Sequence, residues 1–214
     1  MMANDMDRDI ITIITQVLVD KDDPAFQNPT KPVGPYYTKE ESEQISTETG
    51  ARFAADARGR GYRKVVASPK PLVINNQKSI ETLARAGQIV IAVGGGGIPA
   101  YYVQENKLQG IDAVIDKDLA SSLLAVHIHA DKLFILTDVP KVCINYNTPQ
   151  EKALDRMTIA EAKKYLAEGQ FAEGSMAPKI RAAISFVEGS GKDAIITSTD
   201  KLGVDNGGTR IVII

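Results

Sequence analysis

The stretch Gln88-Ile89-Val90-Ile91-Ala92-Val93-Gly94-Gly95-Gly96-Gly97 carries the reading of the fold. Five aliphatic residues in succession, rather than in alternation with polar ones, suit a strand covered on both faces, as in a parallel sheet. Four glycines directly after it point to a turn at the carboxyl end of that strand, where open α/β sheets bind ligands. Working outward, similar runs are Ile10–Val19, Lys132–Thr137, Ala194–Thr197 and Arg210–Ile214. Amphipathic patterns lie between them: Ile80, Leu83 and Ala84 share a face, as do Leu119, Leu123 and Val126, and as do Ile180, Ala183, Ile184 and Val187. Thr158 and Glu161 have capping-box spacing, with Gly169 as the stop. Strands alternating with helices predict an α/β sandwich with a largely parallel sheet.

One region interrupts the alternation. Between Lys21 and Pro71 the chain is polar, rich in proline and without a long apolar stripe. Fifty residues exceed an ordinary loop, which predicts either a small subdomain or a mobile lid.

The 214 residues carry 25 Lys+Arg against 27 Asp+Glu, a net charge of -2. That balance argues against a nucleic-acid binder dependent on counterion release. Any affinity for phosphate must come from a few placed cations. The one cysteine, Cys143, excludes an intrachain disulfide, and with only two histidines a His-rich or Cys-rich metal site is not expected. No run reaches the roughly 18–20 apolar residues of a membrane span. Acidic residues around Ile10 do not resemble a signal-peptide leader. The expectation is a soluble, cytoplasmic chain with no nucleic-acid or membrane partner.

The phosphate-loop, serine-elbow and dinucleotide motifs are absent. Gly189-Ser190-Gly191-Lys192 looks superficially similar to the first, but Phe186 and Asp193 stand at its defining positions, so a turn before the strand at Ala194 is expected. Cys143, between Val142 and Ile144, reads as a buried small hydrophobe, and His127 and His129 as structural or solvated.

Three features point to anionic ligands. Gly94, Gly95, Gly96 and Gly97 expose amides without Cβ obstruction, and four glycines are costly to order unless they are used. Asp116 and Ser175 look like N-caps of helices whose first turns contain Lys117 and Lys179. A cation there opposes the helix dipole by about 0.3–1 kcal/mol, a conflict that a phosphate at each helix start removes. Asp118, beside Lys117, is placed to orient both lysines or to hold a metal ion through water. In the polar region, Lys31 stands among Pro29, Pro32 and Pro35, and Arg58 to Lys64 places four positive charges in seven residues. That basic stretch reads equally as a solvated turn or an anion-binding lid.

The segments TQVLVDKDDPAFQNPTKPVGPYYT (15–38), GRGYRKVVASPKP (59–71), GGGGIP, AVIDKDLASSLLA, LTDV, CINY and FAEGSMAPKIRAAISFVE together resemble the carbamate kinases of the amino-acid kinase family. The resemblance implies an open three-layer αβα sandwich over residues 1–214 as a partial amino-acid kinase domain, with a protruding, lid-like subdomain at about 22–70, and a homodimer. It implies reversible phosphoryl transfer between ATP and carbamate, giving ADP and carbamoyl phosphate, in arginine catabolism, with Mg²⁺ accompanying the nucleotide. The family's phosphate-binding lysines fall on Lys31, Lys117 and Lys179, its organising aspartate on Asp118 and its arginine near carbamate on Arg63. The glycines Gly94 to Gly97 fall at the sheet edge, and Asp138, Tyr146 and Met176 in nucleotide-lining segments. No residue is expected to hold a metal by itself. Departures are an extra Arg58, Ala67 for a usual proline, Ala177 for a usual glycine, and no counterpart of the family's L-G-G-N-A and H-G-N-G-P-Q turns, so the family's first third is expected to be missing. The alternative expectation is a catalytically inactive nucleotide-binding fragment, or an interaction partner of a full-length paralogue.

Overall fold

The computed structural model describes residues 8–56, 59–105 and 107–214. The chain opens with strands β1 (Ile10–Thr12) and β2 (Gln16–Leu18), then β3 (Lys31–Tyr37), helix α1 (Lys39–Thr49), β4 (Arg52–Ala55) and β5 (Tyr62–Val66). It continues through β6 (Val73–Ile74), α2 (Gln77–Arg85), β7 (Ile89–Ile91), β8 (Ile98–Gln104), β9 (Lys107–Gly110) and α3 (Lys117–His127). The remainder is β10 (Leu133–Thr137), β11 (Val142–Ile144), β12 (Lys152–Leu154), β13 (Arg156–Thr158), α4 (Ile159–Ala167), α5 (Met176–Ser190), β14 (Ala194–Ser198) and β15 (Thr209–Val212).

The predicted α/β fold forms, with strands paired in parallel across intervening helices: β1 with β7, β2 with β8, β10 with β14 and β13 with β15. β15 also runs antiparallel to β14, giving the order β10-β14-β15-β13. Helix α5 seats this sheet. Ile180, Ala183, Phe186 and Val187 are fully buried and pack with Leu133, Ile135, Ala194, Ile196 and Ile211 in one core. Each large apolar side chain buried this way stabilises the fold by roughly 1.5–3 kcal/mol. A second core joins Val17, Val19, Ile74, Ile80, Val93 and Ile115 to Ala120 and Leu124 of α3.

Two expectations change. Ile10–Val19 is not one strand: it breaks at Thr15, which is buried, and whose Oγ1 donates to the Ile13 carbonyl and accepts the Val93 amide. The chain bends there and enters a second sheet of order β6-β2-β8-β9. Nor is β10 covered on both faces, since Phe134 and Leu136 alternate as exposed with the buried Leu133 and Ile135.

The polar region contains more order than its pattern foretold. Strands β3, β5 and β4 form their own antiparallel sheet, and α1 packs on β4 and β5. Helix α1 has almost no apolar stripe and buries only Ser42, so periodicity misses it. It is defined instead by a capping box between Thr38 and Glu41 and by Gly50 in the left-handed conformation at its end. The same devices bound α4 as expected, with Thr158 and Glu161 reciprocally bonded at its start and Gly169 at φ 70° after it. Gly191, in the stretch that looks like a phosphate loop, is the left-handed cap of α5. That places it at a helix C-terminus, the wrong end of the dipole for an anion. Among the described residues no helix is long and apolar enough to cross a membrane.

Candidate functional site

Helix α3 starts where its cap dictates. Asp116 Oδ1 accepts the amides of Asp118 at 3.0 Å and Leu119 at 3.2 Å, closing two of the donors a helix leaves open. Its other oxygen, Oδ2, accepts Lys31 Nζ at 2.7 Å, from β3 in the polar region. Burial alone would raise the Asp116 pKa, but the bond and charge of Lys31, with the two amides, outweigh it and hold the carboxyl below its ordinary value.

Helix α5 approaches the same place from the other side. Lys179 Nζ donates to Asp118 Oδ2 at 2.9 Å, and each side chain is 15 % exposed. Asp118 therefore holds Lys179 and not Lys117. Lys117 is exposed and makes no ion pair among the described residues. Lys31, Lys117, Asp118 and Lys179 line one cleft of about 300 Å³, together with Gly95. The N-terminal turns of α3 and α5 both open onto it. Asp116 and Asp118 also line it, paired with Lys31 and Lys179, so three cations against two carboxylates leave an excess of positive charge suited to an anion.

Ser175 occupies the N-cap of α5, but its hydroxyl makes no cap bond, contrary to the expectation of a serine cap. Its backbone, at φ −145° and ψ −73°, is outside the extended conformation that side-chain capping uses.

The four glycines divide their work. Gly94 and Gly95 have open space where a Cβ would stand. Gly96 and Gly97 are needed for packing. At φ 101° and 91°, a Cβ on Gly96 would lie 2.1 Å from the Ile115 carbonyl oxygen, and one on Gly97 2.5 Å from Val17 Cγ2. Half of the run expected to face a ligand thus exists to let β2, β8 and the strand-like approach to α3 close together.

Asp138, Tyr146 and Met176 come together in an adjoining cavity of about 240 Å³, which Cys143 also lines. Ser175 borders both spaces. Cys143 is thus not the fully buried small hydrophobe that its neighbours Val142 and Ile144 predict. Its thiol is half-buried, and burial first, then the Glu151 charge and hydrogen bond, push its pKa up.

Arg63 is not brought into the cleft. Its Nε donates to the Gly34 carbonyl at 3.0 Å and its guanidinium lies 5.3 Å from the centre of the Tyr36 ring. Arg60 covers the same ring at 4.7 Å and bonds Asp56 through two nitrogens, each at 2.9 Å. Part of the basic stretch is therefore a structural turn, while Arg58 lies outside the described residues. The signal missed in the sequence was Asp116 as a lysine partner, because Lys31 is eighty-five positions away.

The model of the amino acid kinase family matches residues 39–198. Carbamate kinase 2 of Staphylococcus aureus (strain MRSA252) is 55 % identical over 210 residues, covering 96 % of this chain and 66 % of that protein. Carbamate kinase of Trichomonas vaginalis is 49 % identical over 199 residues, covering 92 % and 63 %. Among solved structures, the carbamate kinase from Giardia lamblia bound to AMP-PNP superposes with a TM-score of 0.83 at 45 % identity, over 96 % of this chain and 66 % of that one. The chain thus spans about two-thirds of the length of the curated relatives it matches. With 160 residues under the family model and an α/β architecture shared with the solved relatives, the chain belongs to the amino acid kinase family.

Proposed function

We propose that this chain is the nucleotide-binding part of a carbamate kinase, which moves a phosphoryl group reversibly between ATP and carbamate. The observation that carries the reading is the convergence of Lys31, Lys117 and Lys179 on one cleft beside the cavity of Asp138, Tyr146 and Met176. In this reading the cavity takes the base and ribose, and the cleft takes the phosphates. Of the four site glycines Gly95 then contributes at the cleft itself, and Arg63 acts from the 22–70 segment as a lid over carbamate.

Phosphoryl transfer needs little covalent chemistry from the protein, because positioning and charge stabilisation do most of the work. Lys117 and Lys179 neutralise charge on the transferring oxygens, and Asp118 fixes Lys179. Magnesium enters as part of the nucleotide substrate. Among the described residues no group of three or more His, Cys, Asp or Glu side chains is placed to hold a metal of its own. A cytoplasmic, homodimeric enzyme of arginine catabolism is the physiological setting we propose for it. A nucleotide-binding chain without turnover is the weaker reading, since Lys31, Lys117 and Lys179 all line the cleft.

Two measurements test the proposal. Calorimetry should show Mg·ADP binding to the folded 214-residue chain. A coupled assay with ADP and carbamoyl phosphate should show ATP formed by the chain when extended with the relatives' preceding third, and far less by the 214-residue chain, whose cleft lacks the glycine turns expected to hold carbamate in line. Binding of Mg·ADP with no turnover in the extended chain would favour the weaker reading. No binding at all would end both.

A further inference from the structure

We propose that Asp116 is a positioning residue that holds Lys31, and through it the β3-β5-β4 sheet, against the first turn of α3, and that a polyanion arriving at this turn takes Lys31 from it. The second half rests on the phosphate-site reading above. Asp116 is absent from the set of site residues that the resemblance supplies.

The geometry assigns the two oxygens of one carboxylate to two tasks. Oδ1 is committed to the amides of Asp118 and Leu119, while Oδ2 accepts Lys31. Lys31 sits on a sheet whose elements pack chiefly on one another. The pair is sheltered, with 35 % of the Lys31 side chain and 13 % of the Asp116 side chain exposed, so its charges are screened less than those of surface pairs. Among the described residues it is the ion pair that joins this sheet to α3.

Its neighbour sharpens the argument. Asp118 holds Lys179, and Lys117, between the two aspartates, makes no ion pair among the described residues. One cation is thus open to a ligand while the other two are held by carboxylates. Two amide bonds pin Asp116 to the helix, so it cannot follow Lys31 toward a ligand. Lys31, on a long flexible stem, can leave. An anion of higher charge in the cleft then competes with Asp116 for it, and occupancy of the cleft becomes coupled to the seating of the sheet.

Asp116→Asn and Lys31→Gln separate these roles, because asparagine caps a helix as well as aspartate does. Hydrogen exchange without ligand should speed up at Val33, Tyr36 and Tyr62–Val66 in either variant, by about threefold or more. Calorimetry with inorganic pyrophosphate should show tighter binding to Asp116→Asn and weaker binding to Lys31→Gln. The gain from Asp116→Asn should fall by at least about threefold when Lys31→Gln is already present. An equal gain with and without Lys31 would show that Asp116 acts only as background charge and would overturn the competition. Unchanged exchange in Lys31→Gln, which leaves the helix cap intact, would overturn the seating even if Asp116→Asn did not fold. A folded wild-type chain that ignores pyrophosphate would remove the phosphate-site reading and the competition together. The exchange experiment would still decide the seating.

Discussion

Asp118 of α3 and Lys179 of α5 meet at 2.9 Å across two helices, with only 15 % of each side chain exposed. The pair resolves a conflict evident in the sequence, a lysine in the first turn of a helix, by supplying a carboxylate from the neighbouring helix. Lys179→Met leaves Asp118 with a sheltered charge and no partner. Losing one member of a fully buried pair costs about 3–5 kcal/mol, so a pair that keeps some solvent should lose about 2 kcal/mol. Urea unfolding should show this loss, and Asp118→Asn in the same chain should recover part of it. A Lys179→Met variant as stable as the wild type would mean that the pair does not contribute.

Lys117 gives the opposite pattern. With no ion pair among the described residues, it should matter to ligands and not to folding. Lys117→Ala should unfold at the wild-type urea midpoint, yet bind ATP at least about tenfold more weakly with adenosine affinity unchanged, the loss expected for one charge-assisted hydrogen bond. Equal losses for ATP and adenosine would assign Lys117 to the fold instead.

Acid should expose Asp116. Its carboxyl lies below the ordinary value in the folded chain, so the unfolded chain binds the proton more readily. The stabilisation is therefore complete above the unfolded pKa of about 3.9 and disappears as pH falls through the folded value. The gap in urea midpoint between wild type and Asp116→Asn should stay open from pH 6 down to about pH 4 and narrow only below that. A gap that stays constant with pH would place its origin outside this titration.

Cys143 should be a slow thiol. Burial and Glu151 raise its pKa, so little thiolate exists at neutral pH. Alkylation by iodoacetamide should be slower than for a free thiol at pH 7.5, should quicken as pH rises, and should be faster in Glu151→Gln. Because Cys143 shares a cavity with Asp138, Tyr146 and Met176, Mg·ADP should slow it further. Indifference to Mg·ADP would move the nucleotide elsewhere.

Ile10 and Ile91 of the small β1-β7 sheet, and Ile14 just after β1, are 65 %, 50 % and 76 % exposed. An apolar strand edge of this kind favours association between chains. Sedimentation of the 214-residue chain should show concentration-dependent self-association that Ile14→Lys reduces. Strict monomers at all concentrations would contradict it.

Most of the architecture was legible because it depends on local rules. The apolar runs at Gln88–Val93, Lys132–Thr137 and Ala194–Thr197 are strands or border them, and the caps at Asp116 and Thr158 start their helices because a short polar side chain at that position can reach free amides two or three residues ahead. The same logic would have found α1 from Thr38 and Glu41, but a helix without an apolar stripe gives periodicity nothing to detect.

The site was legible as residue types and not as partnerships. Sequence alone determined that Lys31, Lys117 and Lys179 lie in unusual contexts, and that Asp118 is beside Lys117. It gave no means of assigning Lys31 to Asp116 or Lys179 to Asp118, since the partners are separated by eighty-five and sixty-one positions. Nor could it divide the four glycines, where Gly96 and Gly97 are required by the closeness of Ile115 and Val17 and Gly94 and Gly95 are not. Local propensity sets caps, turns and strand periods, because those interactions span a few residues. Which carboxylate holds which lysine, and which glycine faces empty space, is decided only when α3, α5 and β3 pack together, because only then do charges far apart in the chain lie within hydrogen-bond distance.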